Sequence, residues 1–200
     1  MTTSLDPVPA QVEQGPAIAL VRLIPLGPVD DLSCQVVAAN LQALMDLAAD
    51  ILPPFPVLPD AFMEARRQYD AVQLINALAR AFPGPTLGLG LIGSDIATPI
   101  LTYVLGESQL GGRMAVVSTY RLTDAGGRRK LERLVKVSLH EMAHVLGLGH
   151  CWQPQCLMRS PRNVAQLDEL PMAFCDTCQY EIARRVRNLV REIRSTPDRH

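Results

Sequence analysis

Aromatic side chains are scarce in this 200-residue chain: they make up 4% of it, although 48% of the residues are hydrophobic. We therefore expect one domain with an aliphatic core and a cleft that offers few stacking surfaces. No apolar run reaches the roughly eighteen residues that a membrane-spanning helix needs, which argues against a membrane protein. The net charge of −1 argues against nucleic acid as a main partner.

A secretory signal is also lacking. Residues 1–16 are rich in Pro, Gln and Thr and have no basic start or apolar stretch, so we expect a flexible N-terminal tail. The rest of the chain, 17–200, is expected to fold as a single unit. These features favour a cytoplasmic, monomeric protein whose cysteines stay reduced.

Histidine is rare as well, and its placement is informative. The chain has four histidines, and three of them lie in one short stretch, at His140, His144 and His150. On a helix, His140 and His144 would lie about 40° apart around the axis and about 6 Å apart along it, so both imidazoles can bind one ion. Three neutral imidazoles beside an open fourth position are how proteins hold a catalytic zinc.

The residues around these histidines support the same interpretation. Glu141 borders the same helix face, where a carboxylate can reach the water that a catalytic zinc activates. His150 could not join the other two on a continuing helix, because it would lie about 15 Å from His140 along the axis. The chain must therefore leave the helix, and Gly147 permits the positive-φ turn that ends it. Gly149 offers the same freedom just before the third histidine.

The cysteines form a second pattern. Four of the five follow the third histidine, with C-x4-C and C-x2-C spacing on either side of a long loop: Cys151, Cys156, Cys175 and Cys178. This spacing favours a closed, tetrahedral structural zinc site. Two disulfides or unpaired thiols are the alternatives, and a reducing compartment disfavours the disulfides. The fifth cysteine, Cys34, is expected to be a small buried apolar residue.

Hydrophobic periodicity and turn residues predict strands that alternate with helices before the histidines. The predicted strands are 17–26, a weak or edge strand at 51–58, 87–93, 101–105 and the partly exposed 113–122; the predicted helices are 31–49, 71–81, 128–146 and 180–194. This order indicates an α/β (α+β) fold with a mixed, mostly parallel sheet and a central zinc-binding helix. Residues 17–149 would form the larger part, and 150–200 a small Cys-rich lobe held by the second zinc.

An HExxHxxGxxH motif followed at once by Cys, together with C-x4-C and C-x2-C, resembles the archaemetzincin family of zinc metallopeptidases over about residues 17–194. The resemblance implies a compact metzincin-like fold, one catalytic zinc on the three histidines and one structural zinc on the four cysteines. It also implies a methionine in a turn beneath the catalytic metal. Met158 is the best match for that Met-turn, and Met172 is the second choice.

These features predict a zinc-dependent metallopeptidase that hydrolyses peptides or protein segments with Glu141 as general base. Aminopeptidase-like action is one form of this function. Two other classes stay open: a zinc-bound peptide-binding protein with little turnover, and a zinc hydrolase that acts on other amides or on esters.

The predicted strand 113–122 is the expected substrate-binding element. An exposed sheet edge beside a metal cleft can pair with an extended peptide, so we expect Val116, Ser118 and Tyr120 to contact the substrate. Tyr120 is also a candidate to assist the oxyanion, although packing is the commoner role of a lone tyrosine. Asp95 and Glu107 are candidates to bind a substrate amino terminus, which would favour aminopeptidase action.

Overall fold

The computed structural model describes residues 20–123 and 128–195. The predicted N-terminal tail lies outside these ranges. The strands are β1 (Val21–Leu26), β2 (Ala49–Ile51), β3 (Phe62–Met63), β4 (Gln68–Asp70), β5 (Leu87–Ile92), β6 (Ile96–Ala97), β7 (Gly106–Ser108) and β8 (Met114–Ser118). The helices are α1 (Asp31–Met45), α2 (Ala71–Ala81), α3 (Arg128–Val145), α4 (Val164–Glu169) and α5 (Asp176–Ser195). Within the described ranges, no helix is long and apolar enough to cross a membrane.

The main sheet has the strand order β2-β1-β5-β8-β7. All neighbours are parallel except β7, which runs antiparallel to β8 and forms one edge. A smaller sheet with the order β3-β4-β6 lies beside it. The prediction of a mixed, mostly parallel sheet is therefore confirmed.

The two faces of the main sheet pack against different layers. β8 shows this alternation: Ala115 and Val117 belong to the core with α1, α3 and α5, whereas Met114 and Val116 belong to the core with α2. Because successive side chains of a strand point to opposite faces, one strand contributes to both cores. α3 thus lies on one face of the sheet, with β7 at the edge beside it.

Several predicted boundaries differ from the structure. α1 ends at Met45 rather than 49, because Asp46 adopts a left-handed conformation (φ 55°) and Ala49 already pairs with Val21. Residues 101–105 form no strand and have one isolated bridge, from Val104 to Ile96. α5 begins at Asp176, four residues before the predicted start.

The predicted strand 113–122 is shorter and more buried than expected. β8 ends at Ser118, and the chain then makes a short 3-10 helix at Tyr120–Leu122. All of β8 is buried because helices cover both faces and β7 covers its outer edge. The exposed edge of the main sheet on this side is therefore β7.

An ion pair between the exposed Arg121 and the buried Asp95 helps to hold the segment between β6 and β7. Arg121 donates two hydrogen bonds to the Asp95 carboxylate, at 2.8 and 2.6 Å, and Gln68 donates a third at 2.8 Å. Gln68 also donates to the Thr102 carbonyl oxygen, and Arg66 donates to that of Leu101. Although burial acts to raise the pKa of Asp95, the hydrogen bonds from Arg121 and Gln68 outweigh it and lower that pKa below its usual value.

We expect Asp95→Asn to lower the free energy of unfolding by about 1–3 kcal/mol at pH 7, because Arg121 loses its charged partner. A depressed carboxyl pKa stabilises the fold above the unfolded-state value of 3.8, and that stabilisation is lost as pH falls below it. Urea unfolding should therefore show that the free energies of unfolding of the wild type and of Asp95→Asn approach each other as the pH falls toward the lowest value at which both proteins fold. Asp50→Asn, an exposed β2 position, is the matched control; an Asp95→Asn difference that is independent of pH would contradict the assignment.

Candidate metal centre

α3 carries two of the three predicted histidine ligands one turn apart. The Nε2 atoms of His140 and His144 lie 3.0 Å apart. The ring of His150 lies 5.4 Å from that of His140 and 4.9 Å from that of His144, measured between centroids. The candidate ligand atoms of the three residues all lie within 4.8 Å of one another.

The end of α3 turns the chain back toward this cluster. Gly147 has φ of +91°, its N–H donates to the His144 carbonyl, and the N–H of Leu148 donates to the Ala143 carbonyl. These two bonds and the left-handed residue make a Schellman motif, which ends a helix without orphaned carbonyls. Arg185 of α5 adds a hydrogen bond of 2.8 Å to the Leu146 carbonyl.

Gly149 differs from Gly147. It has no positive φ, and a Cβ built there would meet nothing within 4 Å. A Cβ at Gly147 would lie 2.6 Å from Arg185 Nη1. The backbone freedom that the sequence analysis assigned to both glycines is thus used at Gly147 and not at Gly149.

The outer nitrogens of the helix histidines are hydrogen-bonded to backbone carbonyls. His140 Nδ1 lies 3.0 Å from the Leu157 oxygen, and His144 Nδ1 lies 2.7 Å from the Leu148 oxygen. Because a carbonyl only accepts, Nδ1 must donate, which leaves the lone pair of each Nε2 directed at the shared centre. Burial and the neighbouring His144 lower the pKa of His140 to about 4, and burial lowers that of His144. Both rings are therefore neutral at pH 7, as metal ligands must be.

Zinc fits this donor set. With Zn–N bonds of about 2.0–2.1 Å, a tetrahedral ion requires ligand nitrogens about 3.3–3.4 Å apart. The separation of 3.0 Å between the His140 and His144 nitrogens is close to that value. All three histidines line the adjoining cleft, so a zinc held by them would be accessible from it.

Glu141 lies beside the triad and is buried. Its Oε2 accepts a hydrogen bond of 2.6 Å from the Ser108 hydroxyl on β7. Burial raises the pKa of Glu141 to about 7, against the lowering effect of the Ser108 hydrogen bond. A cation at the triad would lower this pKa again, since an opposite charge favours the carboxylate.

Gly106 lets β7 approach α3 closely. A Cβ on Gly106 would lie 2.7 Å from Glu141 Cγ and 2.9 Å from Val137 Cγ1. Real Cβ atoms do not approach that closely, so the space beside the carboxylate depends on a residue with no side chain. Two residues of β7 therefore position Glu141: Ser108 holds its carboxylate by a hydrogen bond, and Gly106 leaves the space that its side chain occupies.

The cleft beside the triad has a volume of about 730 Å³. One wall is the segment 101–108, which ends in β7, and the opposite wall is 160–163, which leads into α4. Both walls are anchored: the first by the Asp95 network, and the second by Arg133 of α3, whose guanidinium makes two bonds of 2.7 Å to Asp168 of α4.

The four late cysteines form a second cluster. Their Sγ atoms all lie within 4.8 Å of one another, and those of Cys151 and Cys175 are 3.8 Å apart. Zn–S bonds of about 2.3 Å in a tetrahedron require sulfur atoms about 3.8 Å apart, whereas a disulfide brings sulfurs to about 2.05 Å. All four are free thiols in this structure. The cluster therefore fits a structural zinc better than two disulfides.

Backbone N–H groups surround these sulfurs. The N–H of Cys175 points to the Cys156 sulfur at 3.4 Å, and that of Gln153 points to the Cys151 sulfur at 3.5 Å. The backbone N–H of Cys178, in the first turn of α5, is the main cause of a lowered pKa at Cys175. N–H groups at a helix N-terminus stabilise a thiolate, which is the form that binds a metal.

The backbone links the two clusters. Cys151 directly follows His150, and its N–H donates to the Met158 carbonyl at 2.8 Å. Leu157, one residue earlier, supplies the carbonyl that orients His140. Met158 is fully buried at this junction, whereas Met172 is half-buried, and the Met-turn assignment of Met158 stays a prediction.

The predicted substrate strand is corrected by the structure. Val116 is buried in the α2 core, and the Ser118 hydroxyl donates to the Ser94 carbonyl at 2.7 Å. Tyr120 is 57% exposed in the turn after β8. None of these three described residues lines the cleft, because β7 separates β8 from it.

The two carboxylates that were candidates to bind a substrate amino terminus lie in different environments. Asp95 is already bound by Arg121 and Gln68, and it does not line the cleft. Glu107 lines the cleft, and burial raises its pKa. Gly106 and Ser108 could not be recognised from the sequence, since β7 has no hydrophobic residue that would indicate a strand.

The backbone link between the two clusters predicts that loss of one zinc weakens the binding of the other. We expect Cys178→Ser to lose the structural zinc and to bind the catalytic zinc about 10–100-fold more weakly, because the segment carrying His150 and the Leu157 carbonyl loosens. Chelator competition and zinc content per chain measure both effects. Cys34→Ala, which removes a buried cysteine of α1 outside the cluster, is the control. Equal retention of the catalytic zinc in both variants would contradict the coupling.

Comparison with known families gives a consistent result. The family model "Peptidase family M54" matches residues 62–184. The archaemetzincin of Archaeoglobus fulgidus is 35% identical over 154 residues, which cover 77% of this chain and 93% of the relative. The archaemetzincin of Methanopyrus kandleri is 35% identical over 131 residues, covering 65% of this chain and 75% of that protein.

Solved structures agree with the sequence relatives. The crystal structure of the Archaeoglobus fulgidus archaemetzincin complexed with malonate has a TM-score of 0.73 at 34% identity, covering 80% of this chain and 98% of that one. A zinc-dependent peptidase from Methanocorpusculum labreanum has a TM-score of 0.72 at 25% identity, covering 81% and 99%. The predicted resemblance is confirmed: the chain belongs to peptidase family M54, the archaemetzincins, and is a zinc metallopeptidase.

Proposed function

We propose that Glu141 is the general base of this peptidase and that His140, His144 and His150 hold its zinc. The observation that carries the proposal is a buried carboxylate beside three converging imidazoles, at the edge of an open cleft. A zinc ion bound there supplies an electrophile that polarises a carbonyl and acidifies water. Glu141 accepts the proton of the attacking water and delivers it to the leaving amine.

Ser108 positions this base. Its hydroxyl donates to Oε2 of Glu141, which leaves Oε1 to face the attacking water. The hydrogen bond also restrains the carboxylate, so less motion has to be frozen in the transition state. Ser108 is in this sense a positioning residue.

β7 supplies the backbone that pairs with substrate. Ser118 donates to the Leu105 carbonyl, and Gln109 donates to the Met114 carbonyl, so alternate residues of this strand turn toward β8. The N–H and C=O groups of Gly106 and Ser108 therefore face outward, along the cleft. An extended peptide can add to this edge as a further strand.

The substrate class is peptide or exposed protein segments. Aminopeptidase-like action, a monomeric state and a cytoplasmic location stay predictions, the last supported by a thiol cluster that a reducing compartment would preserve. The two alternatives, a binding protein with little turnover and a hydrolase of other amides or esters, are separated by the following test.

We expect Glu141→Gln to keep both zinc ions and to lower kcat by about 10²–10⁴-fold, because only the base is removed. A diverse peptide mixture incubated with zinc-loaded protein, with products identified by mass spectrometry, measures turnover and the cut positions. Cuts confined to chain ends would support aminopeptidase-like action.

The metal content of both proteins is the control for this comparison. Wild-type turnover by the variant would refute the role of Glu141. The absence of cleavage by zinc-loaded wild type, with esters and other amides cleaved instead, would favour the other hydrolase class. No turnover of any of these would favour a binding protein.

A glycine pair tests the approach of β7 to the base. We expect Gly106→Ala to lower kcat by about 10–100-fold with zinc retained, because the new Cβ displaces the Glu141 side chain by about an ångström. Gly149→Ala, which meets nothing within 4 Å, should keep turnover within a factor of a few. Equal activity of the two variants would show that the Gly106 contact does not position Glu141.

A further inference from the structure

A second cavity lies beside the metal cleft. It has a volume of about 500 Å³ and shares His150, Ser160, Pro161 and Arg162 with the cleft. Because these four residues line both spaces, the two cavities are direct neighbours. We call this second cavity the annex, and its other lining residues include Trp152, Arg159 and Gln166.

The annex is positively charged. Arg159 and Arg162 both line it and are exposed, and neither guanidinium has a carboxylate partner within hydrogen-bonding distance in the described part of the chain. Glu169, at its α4 side, is the single acidic residue in its lining. The arginine and glutamate side chains of the lining thus sum to a formal charge of +1. A zinc on the neutral histidines would add +2, and a zinc with four thiolates, one of them from Cys151, would add −2 in total, so the sum stays at +1.

Trp152 lies at the mouth of the annex and is 96% exposed. It is the one tryptophan in a chain with few aromatic residues. A fully exposed indole buries no surface in the fold, and indole faces and edges are well suited to contact a peptide. Because Trp152 and two arginines line the same cavity, the annex favours a ligand that has an apolar carbon chain and an anionic group at the end of that chain.

The backbone of the annex is held from two directions. The Cys151 N–H bond to Met158 and the Arg159 N–H bond to the Cys156 carbonyl fix the part that carries Trp152 and Arg159. The Arg162 N–H donates to the Gln166 side chain at 2.8 Å, which fixes the other part on α4. Held backbone on both sides lowers the entropy lost when a ligand binds.

We propose that the annex is a substrate subsite that binds one carboxylate, from an acidic side chain or a C-terminus, through Arg159 and Arg162. A guanidinium can bind a carboxylate through two parallel hydrogen bonds, and the exposed Trp152 indole offers an apolar surface for the carbon chain that carries the carboxylate. The annex has a fixed distance from the triad, so the preferred carboxylate lies at one fixed number of residues from the cut bond. This inference rests on the proposed peptidase function, whose substrates it narrows.

The kinetic test uses matched peptides. In each pair, Glu replaces Gln at one position relative to the cut, or a C-terminal acid replaces the amide. We expect one such position to raise kcat/KM by about tenfold in wild type, as charge-assisted hydrogen bonds typically allow. The position of the effect distinguishes a side-chain from a terminal carboxylate.

Variants assign the effect to the annex. In Arg159→Gln with Arg162→Gln, the ratio of kcat/KM for the Glu peptide to that for the Gln peptide should fall to about one, and Arg162→Glu should favour Lys at the same position. Arg80→Gln, an exposed arginine of α2 on the other side of the sheet, should change nothing. Equal cleavage of every matched pair by wild type, or a preference that survives in the double variant, would overturn the proposal.

A binding measurement separates this proposal from the peptidase assignment. Trp152 is the single tryptophan, so its fluorescence reports occupancy of the annex without turnover. In zinc-loaded Glu141→Gln, the carboxylate-bearing peptide should bind about tenfold more tightly than its neutral partner, and the double arginine variant should abolish the difference. If the wild type cleaves no peptide but the tenfold difference in affinity is observed, the peptidase function is refuted and the subsite is not. If the paired peptides bind with equal affinity, the subsite is refuted.

Discussion

The end of α3 at Gly147 is the constraint on which both metal clusters depend. A continuing helix would carry His150 about 15 Å away from His140 along its axis. The left-handed turn at Gly147 instead returns His150 to the other two histidines and directs Cys151 into the cysteine cluster. One backbone segment thus carries a residue of each cluster, so we expect disorder at either cluster to affect the other.

The orientation of the histidines depends on the same segment. The Leu148 carbonyl, just after the turn, accepts from His144, and the Leu157 carbonyl, within the cysteine lobe, accepts from His140. The segment after His150 would therefore have three connected roles: its cysteines would hold the structural zinc, its Leu157 carbonyl orients His140, and its residues line the cleft. Its buried hydrophobic residues pack into the core that includes α1 and α3.

Local spacing made most of the site predictable from the sequence. Each local pattern is set by residues that lie close together in the chain, so no tertiary information was needed to recognise it. These patterns are the i, i+4 histidines, the glycine that ends the helix and the paired cysteines. The sheet edge was not predictable in this way. β7 is the tripeptide Gly106–Ser108 without a hydrophobic residue, and its partner Glu141 lies far along the chain. The alternating segment 113–122 suggested an exposed edge, but β7 and two helical layers cover it.

Zinc X-ray absorption spectroscopy of the purified protein tests the central claim most directly, because it reports which atoms surround the metal. The account predicts two zinc ions per chain, with a mixed signal: four sulfurs at about 2.3 Å around one ion, and three imidazole nitrogens at about 2.0–2.1 Å around the other. One zinc per chain would contradict the claim of two sites, and a spectrum without sulfur at bonding distance would contradict a structural site on Cys151, Cys156, Cys175 and Cys178. A spectrum with sulfur alone would contradict the catalytic site.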